Sequence, residues 1–309
     1  MTDYDVLIVG AGAAGLTAAV YACRKQLKTA VIAPEVGGLT NLTNHIENYP
    51  GVDAQPGSQL MQKFLENATG FGAVMIADKL LRADKNKDNT FTLKLESGSA
   101  LTCKALILAF GKVPRKLNVP GEKEFFGRGL TTCTTCDAPL FKKKRVVVIG
   151  GGNAAVEGAI ELSPIATQVY LIHRKESYKA DEISVAKLGV LKNVKQLTPY
   201  QTVSINGEKF VKSITVENMN TKKQETILVD GVFSEIGYES KVEAVAHLVK
   251  TNVVGEIIID DRCNTSCPGV FAAGDLTPVP YKQTVIAAGE GAKAALEAHK
   301  YLSGSKGGH

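Results

Sequence analysis

"RVVVIGGGNAA", residues 145–155, repeats a device already present in "YDVLIVGAGAAG", residues 4–15. In each, a β-branched apolar run enters a glycine cluster and an Ala-rich stretch follows. The key positions are Gly10, Gly12 and Gly15 in the first copy and Gly150, Gly152 and Ala155 in the second. A strand, a glycine turn and a helix in this order let the backbone turn tightly and approach a pyrophosphate closely. The helix then presents its free N–H groups and positive dipole end to the phosphates. One glycine cluster is a weak signal, but two copies in the required context imply two dinucleotide sites.

Around these copies, short runs such as "TAVIA", "ALILAFG", "QVYLI" and "GVFAAGD" alternate with Ala-rich amphipathic stretches. That alternation predicts an α/β chain with parallel sheets. "NAAVEGAIELS" has helical spacing, with Ala155, Ile160 and Leu162 near one face. "FTLKLESGSALTCKALILAF" reads as a β-meander followed by a buried strand, and the tail "SGSKGGH" reads as frayed.

The 309 residues suggest about two domains, and 44% hydrophobic with 22% charged residues suits an ordinary globular protein. A net charge of +5 is too small to argue for nucleic acid, and "KKKR" (142–145) reads as a solvated loop before a strand. The uncharged run 6–23 could pass for a signal or a short membrane span. Asp3 and Asp5 precede it where a signal would carry Lys or Arg, and the glycine fingerprint accounts for it better. The expectation is a cytoplasmic protein without membrane or nucleic-acid partners. Six cysteines in such a chain are no disulfide scaffold, so a close pair is catalytic or metal-binding.

A nucleotide with a free ribose 2′-OH wants a carboxylate about 20 residues past the first glycine, and one with a 2′-phosphate wants cations. After the first fingerprint, Ala33 follows the expected strand and Glu35 is the candidate ribose acceptor. After the second come His173, Arg174, Lys175 and Lys179 in "QVYLIHRKESYKAD", with no carboxylate at the deciding position. Guanidinium and ammonium groups bond a 2′-phosphate strongly, so this site is expected to prefer NADPH over NADH.

With these motifs in hand, the chain resembles the low-molecular-weight, prokaryote-type thioredoxin reductases over nearly its whole length. "VGAGAAGLTAA" resembles their FAD fingerprint, and "GGLTNLTNHIENYPG" (37–51) their Gly-Gly loop with Gly38 and Asn48. "LAFGKVPRKLNVPGE", with Gly111, resembles the passage between their domains. "CTTCD" (133–137) resembles their redox pair and following Asp, and "GGGNAAVE", with Asn153, and "HRKESYK" their NADPH sites. "PGVFAAGD" resembles the motif whose Asp, here Asp275, holds the flavin's ribityl chain. "VPYKQTVIAAGEGAKAAL" resembles the flavin-contacting helix, with Tyr281, Lys282 and Gln283 as ring contacts and an opening near Gly289 and Gly291. This last stretch and "CDAPLFKKKRVVVIGGGN" are also similar to the flavoprotein subunit of alkyl hydroperoxide reductase. The chain is read as lacking that protein's extra N-terminal thioredoxin-like region. It carries His-Arg-Lys where the NADH-using relative has an acid.

The resemblance implies two Rossmann-like dinucleotide-binding domains, the NADPH domain inserted in a discontinuous FAD domain. Residues 1–115 and 245–309 would bind FAD, and 116–244 would bind NADPH and carry the Cys-x-x-Cys. It also implies a homodimer, hinges near "KLNVPGE" and "GYESKVE", and a thioredoxin-like redox partner. Departures from the pattern are Leu39 where Gln is usual, Lys175, Lys179 and Lys282 where Arg is usual, and no Pro-Asn after "GVFSEIG".

Zinc needs four ligands, and the other close cysteines, Cys263 and Cys267, precede the flavin motif while the histidines show no ligand spacing. No metal site is expected. A structural disulfide would close a trivially short loop, which leaves a redox pair. By resemblance Cys136 is the sulfur beside the flavin, Cys133 attacks the partner's disulfide and Asp137 shuttles the proton. Cys23, Cys103 and Cys263 are expected as packing residues in strands or helices. The alternatives keep the flavin and dithiol but take electrons from ferredoxin or a deazaflavin, or reduce a peroxiredoxin-system protein. A non-catalytic NADP(H)-binding or redox-sensing module is a further reading, disfavoured by the intact Cys-x-x-Cys-Asp.

Overall fold

In the computed structural model, residues 2–42 and 46–304 are described. The expected frayed tail lies, from residue 305 on, outside them. The chain divides into two compact units, one running up to Val113 and resuming at Glu239, the other spanning Pro114–Tyr238. "KLNVPGE" (116–122) therefore lies within the second unit, while "GYESKVE" (237–243) straddles the return crossing.

The first unit opens with β1 (Tyr4–Ala11), α1 (Ala13–Arg24), β2 (Thr29–Val36) and a 3₁₀ turn (Gly38–Leu42). It continues with α2 (Gly57–Gly70), β3 (Val74–Ile76), β4 (Leu80–Lys85), β5 (Phe91–Leu95) and β6 (Ala100–Leu108), and β7 (Val113–Pro114) straddles the first crossing. β1 is apolar without alternation because both its faces are buried. Val6 and Ile8 join Val31, Ala105 and Ile107 on one side, and Leu7 and Val9 join Ile32, Leu106 and Leu108 on the other. Burying each such side chain fully contributes about 1.5–3 kcal/mol.

Two expectations change here. β2 does not end before Ala33: a register shift between Val9 and Ala11 lets pairing resume at Ala11 opposite Val36, so Ala33 and Glu35 lie within the strand. The last meander strand and the buried strand are one element, β6. Its first half pairs antiparallel with β5, and its second half is buried beside β1.

The second unit contains α3 (Glu122–Phe125), β8 (Leu130–Thr131), α4 (Thr134–Asp137), β9 (Arg145–Ile149), α5 (Asn153–Leu162) and β10 (Gln168–Ile172). α6 (Glu182–Val190), β11 (Val194–Leu197), β12 (Tyr200–Gly207), β13 (Val211–Asn218), β14 (Gln224–Leu228), β15 (Gly231–Ser234) and β16 (Tyr238–Glu239) complete it. Its parallel sheet has the order β11-β10-β9-β15-β8, beside an antiparallel sheet β12-β13-β14. α5 buries Ala155, Val156, Gly158, Ala159 and Leu162, whereas Ile160 is only half-buried.

The returning chain adds β17 (Val270–Ala272), parallel to β6, and α7 (Thr284–Leu302). The first unit's sheet then has the order β3-β2-β1-β6-β5-β4, with β17 also on β6. The expected opening of α7 at Gly289 and Gly291 is corrected: the helix begins at Thr284, with Gln283 as its N-cap residue. Gly291 is interior and permits close packing on α1, where a Cβ would collide with the Ala14 carbonyl oxygen. The fold is α/β, with two Rossmann-like units and the second inserted in the discontinuous first.

Candidate functional site

In the second unit, Cys133 and Cys136 are joined by a disulfide, their Cα atoms 5.4 Å apart. Cys133 is the N-cap residue of α4, and its sulfur accepts the Cys136 N–H at 3.3 Å. The Thr131 hydroxyl donates to Asp137 Oδ2 at 2.5 Å and accepts the Cys133 N–H at 3.2 Å. Asp137 is only 5% exposed, and its other carboxylate oxygen is buried without a partner among the described residues. Burial raises its carboxyl above the ordinary value, against the opposing Thr131 bond. A carboxyl that favours its proton thus lies in the same turn as the disulfide. Thr134 bonds Glu235, and the Tyr238 hydroxyl donates to Thr132 O at 2.5 Å. Sequence reasoning missed Thr131, Glu235 and Tyr238. Glu235 was readable as a lone acid in the otherwise apolar "GVFSEIG".

The second fingerprint lies in the same unit. A Cβ on Gly150, at φ +155°, would strike the Glu235 carbonyl oxygen and come 2.6 Å from the Ala155 Cβ. Gly151 makes room for the His173 ring, whereas at Gly152 a Cβ would find only Lys179 O, at 3.9 Å. Asn153 Oδ1 accepts the Asp181 N–H at 2.8 Å, tying the first residue of α5 to the start of α6. His173 contacts Ser177 O through Nε2 at 3.1 Å and stacks on Tyr178, with ring centroids 5.6 Å apart. Burial, the larger effect, lowers its pKa, and Lys175 and Arg174 push the same way. Arg174, Lys175 and Lys179 are exposed and have no acidic partner among the described residues. Glu176, between them, accepts from Asn220 Nδ2 at 2.9 Å. A cavity of about 530 Å³ adjoins this loop, lined by Glu176, Ser177, Tyr178, Ala180, Glu182, Val185 and Ala186.

In the first unit, Gly10 has φ +109°, and a Cβ there would collide with the Ala109 backbone. Gly15 packs on the Gly10 carbonyl oxygen, while a Cβ on Gly12 would meet nothing within 4 Å. Gly38, at φ +56°, would carry its Cβ 3.6 Å from Gly12 Cα, which brings the Gly-Gly loop beside the fingerprint. Gly111 is left-handed too, at φ +64°. Glu35 is exposed in β2. Asn48 Nδ2 donates to Gln283 Oε1 at 3.1 Å, joining two candidates far apart in sequence. Glu256, which sequence reasoning missed, accepts from Lys112 at 2.6 Å and from Asn252 at 2.7 Å, with Lys282 Nζ at 3.5 Å. Lys282 also donates to Thr277 O at 2.5 Å, and burial lowers its pKa. Burial raises Asp275, against the attraction of Lys282 and Lys112, and its carboxylate accepts no hydrogen bond among the described residues. Tyr281 is 80% exposed at φ +58°.

The remaining cysteines are free. Cys23 lies in α1 and Cys103 in β6, while Cys263 lies in neither strand nor helix. It occupies a left-handed turn residue, φ +67°, and its buried thiol donates to Glu290 Oε2 at 3.2 Å. Among the described residues no group of three or more His, Cys, Asp or Glu could hold a metal, and no helix is long and apolar enough to cross a membrane.

The open space at Gly12 and Gly152, each the N-cap residue of its helix, fits a group that approaches the backbone closely. The Asp275 carboxylate, half-buried and with no hydrogen bond among the described residues, fits a ligand with hydroxyl donors. These residues fit two bound dinucleotides.

The chain is 41% identical over 304 residues to the F subunit of the Pseudomonas aeruginosa alkyl hydroperoxide reductase, covering 97% of this chain and 58% of that one. It is 40% identical to a Bacillus subtilis protein named NADH dehydrogenase, with 97% and 58% covered. The chain thus spans under two thirds of the length of these curated relatives. Among solved structures, thioredoxin reductase from Streptococcus pyogenes superposes with a TM-score of 0.88 at 34% identity, covering 97% of this chain and 98% of that one. The model of the pyridine nucleotide-disulphide oxidoreductases matches residues 4–291, and the chain belongs to that family.

Proposed function

We propose that the chain is a flavoprotein disulfide reductase, passing electrons from NADPH through FAD and the Cys133–Cys136 pair to a thioredoxin-like protein. The observation that carries this reading is the Cys133–Cys136 disulfide with buried, proton-favouring Asp137 in its turn. FAD would lie on Gly10, Gly12, Gly15, Gly38 and Gly111, with Glu35, Asn48, Asp275, Lys282 and Gln283 around it. NADPH would lie on Gly150, Gly152, Asn153 and Ala155, its 2′-phosphate taken by His173, Arg174, Lys175 and Lys179. The neighbouring cavity of about 530 Å³ falls within the size range of small-molecule sites.

When bound, these cofactors supply the two-electron chemistry linking nicotinamide, flavin and disulfide. Cleaving the Cys133–Cys136 bond takes up two electrons and two protons to give two thiols. Asp137 gives one proton as the leaving sulfur departs, solvent supplies the other, and Asp137 then takes a proton back from the Cys133 thiol to form the thiolate that attacks the partner's disulfide. Cys136 then closes the ring on Cys133 and releases the reduced partner. A homodimer in the cytoplasm completes the reading, with oligomeric state checked by light scattering.

The first experiment is anaerobic mixing of the FAD-loaded protein with NADPH or NADH while flavin absorbance is followed. Fast bleaching by NADPH and slow bleaching by NADH supports the reading, and sluggish bleaching by both sinks the nicotinamide site. Cys136→Ser must abolish disulfide turnover and spare flavin reduction. A second reading, favoured by the 41% identity to a component of an alkyl hydroperoxide reductase, has a peroxiredoxin-system protein as acceptor. Turnover with thioredoxin against turnover with a peroxiredoxin-system protein separates the two.

A further inference from the structure

Glu235 follows β15, which lies between β9 and β8 in the second unit's parallel sheet. Its N–H donates to Ile149 O at 2.8 Å, and its carbonyl oxygen fills the space a Cβ on Gly150 would need. Its carboxylate Oε1 accepts both donors of Thr134, the N–H at 3.0 Å and the hydroxyl at 2.7 Å. Thr134 sits between the two cysteines and is 4% exposed. It is seated on α5 at Gly158, where a Cβ would come 2.8 Å from the Thr134 hydroxyl. One threonine is thus held by a notch on one side and a carboxylate on the other, inside the loop that must open and close as a disulfide. Burial raises the Glu235 carboxyl, and Glu161 of α5 adds to this. Nothing in the proposed electron path uses Glu235.

We propose that Glu235 is a positioning residue of the dithiol: by gripping both donors of Thr134 it fixes the turn between Cys133 and Cys136, and by its negative charge it opposes ionisation of the reduced thiols. The turn keeps the two sulfurs poised to rejoin. A carboxylate close by disfavours a second negative charge, so the thiolate forms at higher pH than it otherwise would. The other acids near this turn are Asp137 in α4 and Glu161 in α5, and both stay unchanged in the variants below.

This rests on the Cys pair being the redox centre of the proposed reductase. The test reads thiol chemistry alone, needing neither nucleotide nor partner, so either claim can fail while the other stands. The full chain is reduced and alkylated with iodoacetamide across pH 6–10, and labelling of Cys133 and Cys136 is followed by mass spectrometry. E235Q keeps an acceptor for Thr134 and removes the charge, whereas E235A removes both. E235Q is expected to shift the profile to lower pH, with labelling about 3–10-fold faster on the rising limb, as expected for a shift of about half to one pKa unit. Compared on the plateau above the rising limb, where the thiols of every variant are ionised, E235Q should re-form the disulfide with oxidised dithiothreitol within about twofold of the parent's rate, while E235A does so about fivefold slower, the size of losing roughly one hydrogen bond. T134V, which loses only the hydroxyl, replaces E235A if that variant does not fold. Superimposable labelling profiles for E235Q and the parent overturn the proposal. So does an equal rate of disulfide formation in the anchor-deficient variant and E235Q.

Discussion

The Thr131 hydroxyl bonds Asp137 Oδ2 at 2.5 Å while accepting the Cys133 N–H at 3.2 Å, so one side chain ties the carboxyl to the backbone of the cysteine pair. The other Asp137 oxygen is buried without a partner among the described residues, a costly place for a full negative charge.

The sign of the pH dependence follows. Asp137 is raised above its ordinary 3.8 chiefly by burial, so its contribution to stability is full below that value and is lost as pH rises through the folded pKa. In the proposed mechanism proton donation to the departing sulfur disappears over the same window, so disulfide reduction should fall on the alkaline side. Thr131→Val removes the bond that opposes the shift, so this limb should move to higher pH. Asp137→Asn should lose the limb and about 10²-fold in disulfide turnover. Turnover against pH checks this, and an unmoved limb in Thr131→Val would sink the assignment.

The glycines separate folding from binding. Gly10 has φ +109° and no room beside Ala109, so Gly10→Ala should destabilise the protein by about 2 kcal/mol or more. A Cβ on Gly12 meets nothing within 4 Å, so Gly12→Ala should leave flavin-free protein within about 0.5 kcal/mol of the parent. Its cost should appear in the flavin-to-protein ratio after purification. Full flavin retention in Gly12→Ala would contradict a dinucleotide at that turn.

Much of the fold was legible because Gly-x-Gly-x-x-Gly is a local requirement: the turn at Gly10 and the helix start at Gly12 need no distant partner. β9 and β10 likewise follow the apolar runs that predicted them. What escaped depends on pairing and contact. The end of β2 is set by a register shift opposite Val9, and Gly291 reads as a helix opening until Ala14 is seen beneath it. Glu256 and Glu235 are single acids without a motif, and they acquire meaning only from Lys112, Lys282 and Thr134, residues brought to them by folding.

Glu256 holds the Lys112 ammonium group in a place with little water, with the more exposed Lys282 ammonium nearby. The Glu256 side chain is 12% exposed and that of Lys112 14%, so removing the carboxylate strands the Lys112 cation. Glu256→Ala should cost about 2–4 kcal/mol, near the range for breaking a buried pair. Glu256 is held below its ordinary 4.5 by the hydrogen bonds from Lys112 and Asn252 and by the charges of Lys112 and Lys282, against an opposing burial effect. Its stabilisation is therefore present above 4.5 and lost as pH falls through its folded pKa. Denaturant unfolding of parent and variant should converge at the acid end. A gap that stays constant down to that end contradicts the charge argument.

In the proposed reading, the cations after the second fingerprint decide the choice of nucleotide. Arg174, Lys175 and Lys179 are exposed, and no carboxylate among the described residues neutralises them. Their charge is therefore available to a dianionic 2′-phosphate, and a free 2′-OH gains little from it. His173 differs: its contact to Ser177 O and its stack on Tyr178 hold the ring, and its lowered pKa leaves it neutral near pH 7, an orienting group more than a charge. Arg174→Ala should lower kcat/KM for NADPH about 10–30-fold, the loss of one charge-assisted bond, and change that for NADH less than about twofold. Because these groups face water, the NADPH preference should also weaken as salt rises from 0.01 to 0.15 M, where the screening length shrinks from about 30 Å to about 8 Å. Stopped-flow flavin reduction with both nucleotides reads each effect. Equal losses for NADPH and NADH in Arg174→Ala would mean that the guanidinium serves the shared pyrophosphate or the fold, and the 2′-phosphate assignment would fall.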